Sequence, residues 1–272
     1  MDNDLGFAKD LYRGSAGYYD KYRLPYPDAL VADLVGRTAP SGQGRLLDLA
    51  CGTGQLAFPL SGFFAESWAV DQEPDMVEVV RAKAAAGGPA AARIHPAVAS
   101  AEELDAAPGA FEVVVIGNAF HRLRRGEVAA RVRRCLQPGG YLALCWSFAP
   151  WNGTQDWQRA FDQLLQRWRT ALSGNRIPGR AAQDRRELPD AELLFEYGFE
   201  MVGRYEFVAD KSWTVPDLAG LIRSTSFLPQ SVLQSHGATF DAELAAALGP
   251  YSRNGLLTET VQFAYELARK PG

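Results

Sequence analysis

Histidine and cysteine are scarce, three of each in 272 residues. Cys51, Cys135 and Cys145 are odd in number and lack the paired spacing of a zinc ligand set. That argues against a disulfide scaffold and against a His/Cys metal centre, and fits a reducing compartment. No apolar run approaches the ~18 residues of a membrane helix. Residues 1–10 carry three acids and no apolar centre, unlike a secretion signal. A cytoplasmic location with no membrane partner is therefore expected. Positive charge is not in excess either. The net charge is −4, which gives no global attraction to nucleic acid. Internal repeats are missing, as are a P-loop, a G-x-S-x-G elbow and an H-E-x-x-H helix.

What remains is a chain with 47% hydrophobic and 22% charged residues, the balance of a globular protein with a real core. Strand-like runs at 45–50, 67–70, 93–98, 111–116 and 141–146 alternate with helical stretches at 55–62, 74–86 and 126–136. This alternation predicts an α/β, Rossmann-like doubly wound sheet. A turn is expected at Pro138-Gly139-Gly140. Beyond 150, Trp157, Phe161, Leu164, Leu165, Trp168 and Leu172 recur at helical spacing. Residues 173–186 read as a polar loop. A strand at 200–209, helices near 216–225 and 240–248, and a strand at 258–268 follow. The prediction is seven strands with the last antiparallel, a helical N-terminal cover and a C-terminal helical insert. Three segments result, within one continuous domain: 1–40 as cover, 41–150 as binding core, and 151–272 as substrate-side helices plus closing strands.

The central motif is Leu46-Leu47-Asp48-Leu49-Ala50-Cys51-Gly52-Thr53-Gly54. A strand that ends in Gly-x-Gly and opens a helix lets backbone approach a ligand closely. Asp71 ends the second strand, where an acid can bind both hydroxyls of a ribose. Two ligand classes fit. Gly52-Thr53-Gly54-Gln55-Leu56-Ala57 matches the dinucleotide pattern G-x-G-x-x-A, which allows an NAD(P)-dependent oxidoreductase. Asp48, however, stands where its charge would repel a pyrophosphate and suit a cationic amino group. That favours S-adenosylmethionine, which has an ammonium, a sulfonium and a ribose but no phosphate.

The motif resembles motif I of the class I S-adenosylmethionine-dependent methyltransferases. Val70-Asp71-Gln72 with Met76 is similar to the family's second motif. Ser100-Ala101-Glu102-Glu103-Leu104 resembles its adenine-contacting segment, Asn118-Ala119-Phe120-His121 the segment after the fourth strand, and Leu136-Gln137-Pro138-Gly139-Gly140 the turn before the fifth. Tyr18 to Pro27 (YYDKYRLPYP) resembles the N-terminal signature of the trans-aconitate methyltransferase-like, small-molecule branch. The resemblance spans about 15–150. It implies S-adenosyl-L-methionine as cofactor, bound by Tyr19, Arg23, Asp48, Ala50, Gly52, Gly54, Asp71, Gln72, Met76, Ala101, Glu102 and Asn118. Asp48 could instead order the glycine loop through backbone amides.

For the acceptor, His121 is the candidate general base, with Tyr22, Trp146 and Trp151 beside it. The expected activity is methylation of a small molecule, on oxygen first and nitrogen next. A non-catalytic or repurposed cofactor-binding protein would carry the same motif I. His95, His236 and Trp157 read as structural. Arg122, Arg124, Arg125, Arg131, Arg133 and Arg134 form a basic cluster, either a solvated helix face or a site for an anion. Gly117-Asn118-Ala119-Phe120 lacks the Asn/Asp-Pro-Pro-aromatic motif of base methylation, so no nucleic-acid partner is expected.

Overall fold

The computed structural model describes residues 12–173 and 187–272. The polar loop expected at 173–186 lies, but for Ser173, outside them. Seven strands form one sheet in the order β3-β2-β1-β4-β5-β7-β6. They are β1 (Arg45–Leu49), β2 (Glu66–Asp71), β3 (Ile94–Val98), β4 (Phe111–Gly117), β5 (Leu136–Ser147), β6 (Glu200–Trp213) and β7 (Leu257–Arg269). β1 to β5 pair in parallel, and β7 runs antiparallel to both β5 and β6. The predicted closing pair is therefore present, and the Rossmann-like reading holds.

The helices are α1 (Ala16–Tyr22), α2 (Asp28–Thr38), α3 (Ala57–Leu60), α4 (Pro74–Ala86), α5 (Arg125–Cys135), α6 (Asp156–Ser173), α7 (Asp190–Glu196), α8 (Val215–Arg223), α9 (Gln230–Leu233) and α10 (Gly237–Leu248). The central strands are apolar on both faces because helices cover both. Leu47, Val114, Ile116 and Leu142 meet Val128 and Val132 of α5 and Leu194 of α7. Leu46, Val113, Val115 and Ala143 meet Leu30, Val31 and Leu34 of α2. A third core joins Trp157, Phe161, Leu164 and Leu165 of α6 to Leu218, Ile222, Phe240 and Leu244. Among the described residues, no helix is long and apolar enough to cross a membrane.

Four expectations shift. The helix foreseen at 55–62 shrinks to four residues and a 3-10 turn, since a backbone bent at Gly54 (φ 87°) must straighten first. Pro138-Gly139-Gly140 is a kink inside β5: Leu136 already pairs with Phe111, and the Gly139 N–H donates to the Lys270 carbonyl. β6 continues past 209 to Trp213 because its last residues pair with Leu257–Glu259 of the closing strand. The helix foreseen near 216–225 is α8, and α9 precedes α10 where one helix was expected.

This order places the switch in chain direction between β1 and β4. Ligands of open α/β sheets bind at such a point, beyond the strands' carboxyl ends.

Candidate active site

The carboxyl ends of β1, β2 and β4 bring three bends together. After β1 the chain takes a left-handed conformation at Ala50 (φ 56°) and Gly52 (φ 55°). After β4 it does so again at Asn118 (φ 52°). Left-handed backbone at a residue with a side chain costs of order 1–3 kcal/mol and concentrates at functional sites. Of the five such non-glycine residues among those described, two, Ala50 and Asn118, border the same cleft.

Asp71 holds the glycine turn. One carboxylate oxygen accepts the Gly52 N–H at 2.8 Å, the other the Glu73 N–H at 2.9 Å. Burial pushes its carboxyl up, and these amide hydrogen bonds work against that. Asp48 secures the far side of the turn. It is buried and accepts the Ala57 N–H at 2.8 Å. Burial pushes its carboxyl up to about 7, the nearby Asp71 charge adds to this, and the Ala57 and Leu56 amides oppose it. The loop-ordering role left open for Asp48 is thus visible in its bonds. The same bonds weigh against a dinucleotide. α3 has only four residues, and the Leu56 and Ala57 amides at its start already serve Asp48, which leaves them unavailable to a pyrophosphate.

Two adjoining cavities lie over the turn. The larger is a solvent-open space of about 770 Å³ bordered by Gly52, Asp71, Gln72, Met76 and Ala101, with Tyr12, Ala119, Arg122 and Leu123 also lining it. The smaller encloses about 370 Å³ and is bordered by Arg23, Asp48, Tyr26, Gln55 and Ser147. Tyr19, Ala50 and Asn118 border both. The Tyr19 ring lies so close to the turn that a Cβ on Gly52 would come within 2.9 Å of it. Burial pushes its phenol up to about 12. Arg23 reaches across from the end of α1, its Nε and Nη2 donating to the Ser224 hydroxyl and carbonyl, both at 3.0 Å.

Other predicted residues lie elsewhere. Gly54 supports the turn from below, against the Phe58 ring. The Glu102 carboxylate accepts the Arg124 N–H at 3.0 Å. Tyr22 packs on Gly220 of α8. Trp151 stands edge-on to Phe161 and Phe227 in the helical layer. Trp146 turns to the core beneath α5, with the Arg204 guanidinium 4.9 Å from its ring. His121 borders neither cavity, and its Nε2 accepts the Arg122 Nε–H at 3.2 Å.

Three residues enter without a prior role. Asn118 donates to the Tyr26 hydroxyl at 3.1 Å and to the Ser147 hydroxyl at 3.2 Å, and accepts the Ser147 N–H at 3.0 Å. Burial pushes the Tyr26 phenol well up. Tyr26 stands inside the N-terminal signature, so its position was legible but its partner was not. Ser147 and Tyr12 carried no signal. Among the described residues no cluster of His, Cys, Asp and Glu could hold a metal ion.

Residues 46–140 match the family model described as a methyltransferase domain. The chain is 28% identical over 233 residues to the uncharacterised methyltransferase Rv3342 of Mycobacterium tuberculosis, covering 84% of this chain and 82% of that protein. A candidate type II methyltransferase of Anaeromyxobacter dehalogenans overlays with a TM-score of 0.64 at 22% identity, covering 92% of this chain and 98% of that one. Haemonchus contortus phosphoethanolamine N-methyltransferase 2, solved with phosphomonomethylethanolamine and S-adenosylhomocysteine, overlays at 0.52 and 16% identity, covering 94% and 57%.

Proposed function

We propose that this chain, an S-adenosylmethionine-dependent methyltransferase, acts on a small organic molecule, with oxygen as the accepting atom before nitrogen. One observation carries the size of the acceptor. The cavities are walled by the N-terminal segment (Tyr12, Tyr19, Arg23, Tyr26) on one side and by the strand ends and the loop after β4 on the other, and Arg23 and Arg122 each bond on to the 224–226 segment. A concave space walled on two sides suits a small molecule better than a folded macromolecule.

The residues at the turn fit S-adenosylmethionine. Asp71 would take the ribose hydroxyls with the lone pairs its two amide bonds leave over. Met76, Ala101 and Leu123 offer apolar surface for an adenine. Gly52 permits close backbone approach, Tyr19 would cover the bound group, and Arg23 would hold the methionine carboxylate. When bound, this group supplies an electrophilic methyl on sulfur. The chain's own task is then to hold the accepting atom in line and exclude water, which can lower a barrier by up to ~7–11 kcal/mol.

With Nε2 accepting from Arg122, the proton of the neutral ring sits on Nδ1, so His121 would serve as base only after Arg122 lets go of Nε2. If it is the base, His121→Ala should lower kcat by ~10²–10⁴ and leave S-adenosylhomocysteine affinity unchanged. A variant with full kcat would remove that role. The broader reading is tested with methyl-labelled S-adenosylmethionine and a deproteinised extract of small metabolites. Label should pass to a low-mass product. Transfer to added RNA or protein instead, or calorimetric binding of NAD(P)H without S-adenosylhomocysteine, would overturn it.

A further inference from the structure

The two edges of the sheet are not alike. β3 has five residues with Pro96 at its centre. Short length and proline blunt an edge, because they offer few backbone groups to a new strand. β6 has neither protection. It runs fourteen residues without a proline, and one side of it pairs with β7 from Glu200 to Trp213. Along its other side no described residue pairs with it. One face of this strand is exposed at Val202, Arg204, Glu206, Val208 and Asp210, alternating with half-buried residues. α7, which packs against β6, exposes Phe195 as well.

The order of the exposed residues is self-complementary. Two copies of β6 can pair antiparallel about a two-fold axis only with residues of the same face opposite each other. An axis at Tyr205 sets Arg204 opposite Glu206 of the second copy, and Val202 opposite Val208, each twice. On the other face Gly203 comes opposite Phe207. Moving the axis by one residue sets Arg204 against Arg204 or Glu206 against Glu206. An axis at Phe207 leaves Glu206 facing Val208. The complementary stretch ends at 202 and 208, since Glu200 would next meet Asp210, and a β-bulge between Met201 and Gly203 bends the strand there. Within one chain Arg204 Nε meets Glu206 at 2.9 Å, and both side chains stay exposed. A second copy would close these charges into a ring of alternating sign.

We propose that the chain forms a two-fold dimer in which two β6 strands pair antiparallel about Tyr205, joining two seven-stranded sheets into one. Backbone hydrogen bonds supply the affinity, and Arg204 with Glu206 sets the register. The joint buries little beyond the strand edges, so a dimer of micromolar strength is expected. The cleft lies at β1, β2 and β4, away from this edge, and the dimer leaves it open.

The test is sedimentation of the purified chain across the micromolar range. The mean mass should rise from one chain to two. Arg204→Glu and Glu206→Arg each set like charges opposite, twice over, and should weaken the dimer roughly tenfold or more. The double reversal R204E/E206R restores the opposition and should regain most of the loss, which damage to folding would not do. Thermal melting shows that each variant is folded. A second measurement uses Val202→Cys with Val208→Cys. Mild oxidation should link this double variant into a covalent dimer, whereas either single variant should not link, because each cysteine would face a valine. The native cysteines are buried and stay out of the reaction. Where a charge reversal fails to fold, the cysteine pair decides. The proposal is overturned if the wild type keeps one chain mass throughout or if folded single reversals dimerise like it. It is equally overturned if the double reversal regains nothing, or if a single cysteine variant links as well as the pair.

Discussion

At the scale of single residues, the glycine turn carries the sharpest expectations. Gly52→Val should abolish S-adenosylhomocysteine binding in calorimetry. The added carbons would fall where the Tyr19 ring already lies, and the left-handed backbone at Gly52 would be strained besides. Asp71→Ala should weaken binding by about 1.5–3 kcal/mol, the value of hydrogen bonds to a charged group. Unchanged affinity in both variants would refute the site. Asp48 makes a different prediction. Its carboxyl sits near 7 when folded, against ~3.9 in an unfolded chain. Between those values the folded protein keeps a proton that the unfolded chain has lost. The contribution of this group to stability is therefore undiminished below about pH 4, falls as pH rises towards about 7, and is level above. Asp48→Asn removes that titration. The melting temperature of the variant minus that of the wild type should grow across the same window, and a constant difference would mean that Asp48 does not titrate there.

At the scale of elements, two polar ties decide how the C-terminal third sits on the sheet. Glu259 of β7 is buried and accepts the Trp213 indole N–H and a Gln158 amide hydrogen, both at 2.7 Å. It thereby joins β7, β6 and α6. Burial pushes its carboxyl up, against the pull of the two donors. Glu259→Ala leaves both donors buried without a partner and should cost ~2–3 kcal/mol in denaturant unfolding, whereas Glu259→Gln, which keeps an acceptor, should cost less. Equal losses would mean that packing, not the bonds, matters there. The second tie is Tyr265, whose hydroxyl donates to Asp33 at 2.6 Å and anchors α2 to the closing strand. The short α3 belongs to this scale too. Its amides serve Asp48, so the turn is held by a side chain where a dinucleotide fold would keep a helix end free.

At the scale of the whole molecule, the cleft joins elements far apart in the chain. α1, the ends of β1, β2 and β4, and the 224–226 segment meet only when the sheet is complete. Cofactor binding should therefore stabilise the entire fold. At one hundred times its dissociation constant, S-adenosylhomocysteine should add ~2.7 kcal/mol, a rise of roughly 5–10 °C in melting temperature for a chain of this size. Asp71→Ala should lose much of that rise at the same concentration.

What the sequence determined by itself is local in origin. The buried strands showed as β-branched runs, the glycine turn as residues that tolerate left-handed backbone, and Asp71 as an acid one strand further on. Each depends on neighbours a few residues away, and the match over 46–140 lies in that same stretch. The tertiary structure decided the rest. Tyr22, Trp146 and Trp151 had the right chemistry for a pocket, but strand alternation and helix packing turned them into other surroundings. Tyr26 and Ser147 came to the cleft because Asn118 bends left-handed between two strand ends and bonds to both, and Arg122 is held beside it by a bond to Ser226. Six arginines that read as one patch were separated by different partners, acids or carbonyls for five of them and the Ser226 hydroxyl and His121 for Arg122. Hydrophobic period and turn chemistry act over a few residues, whereas hydrogen bonds between residues a hundred positions apart exist only once the sheet has closed.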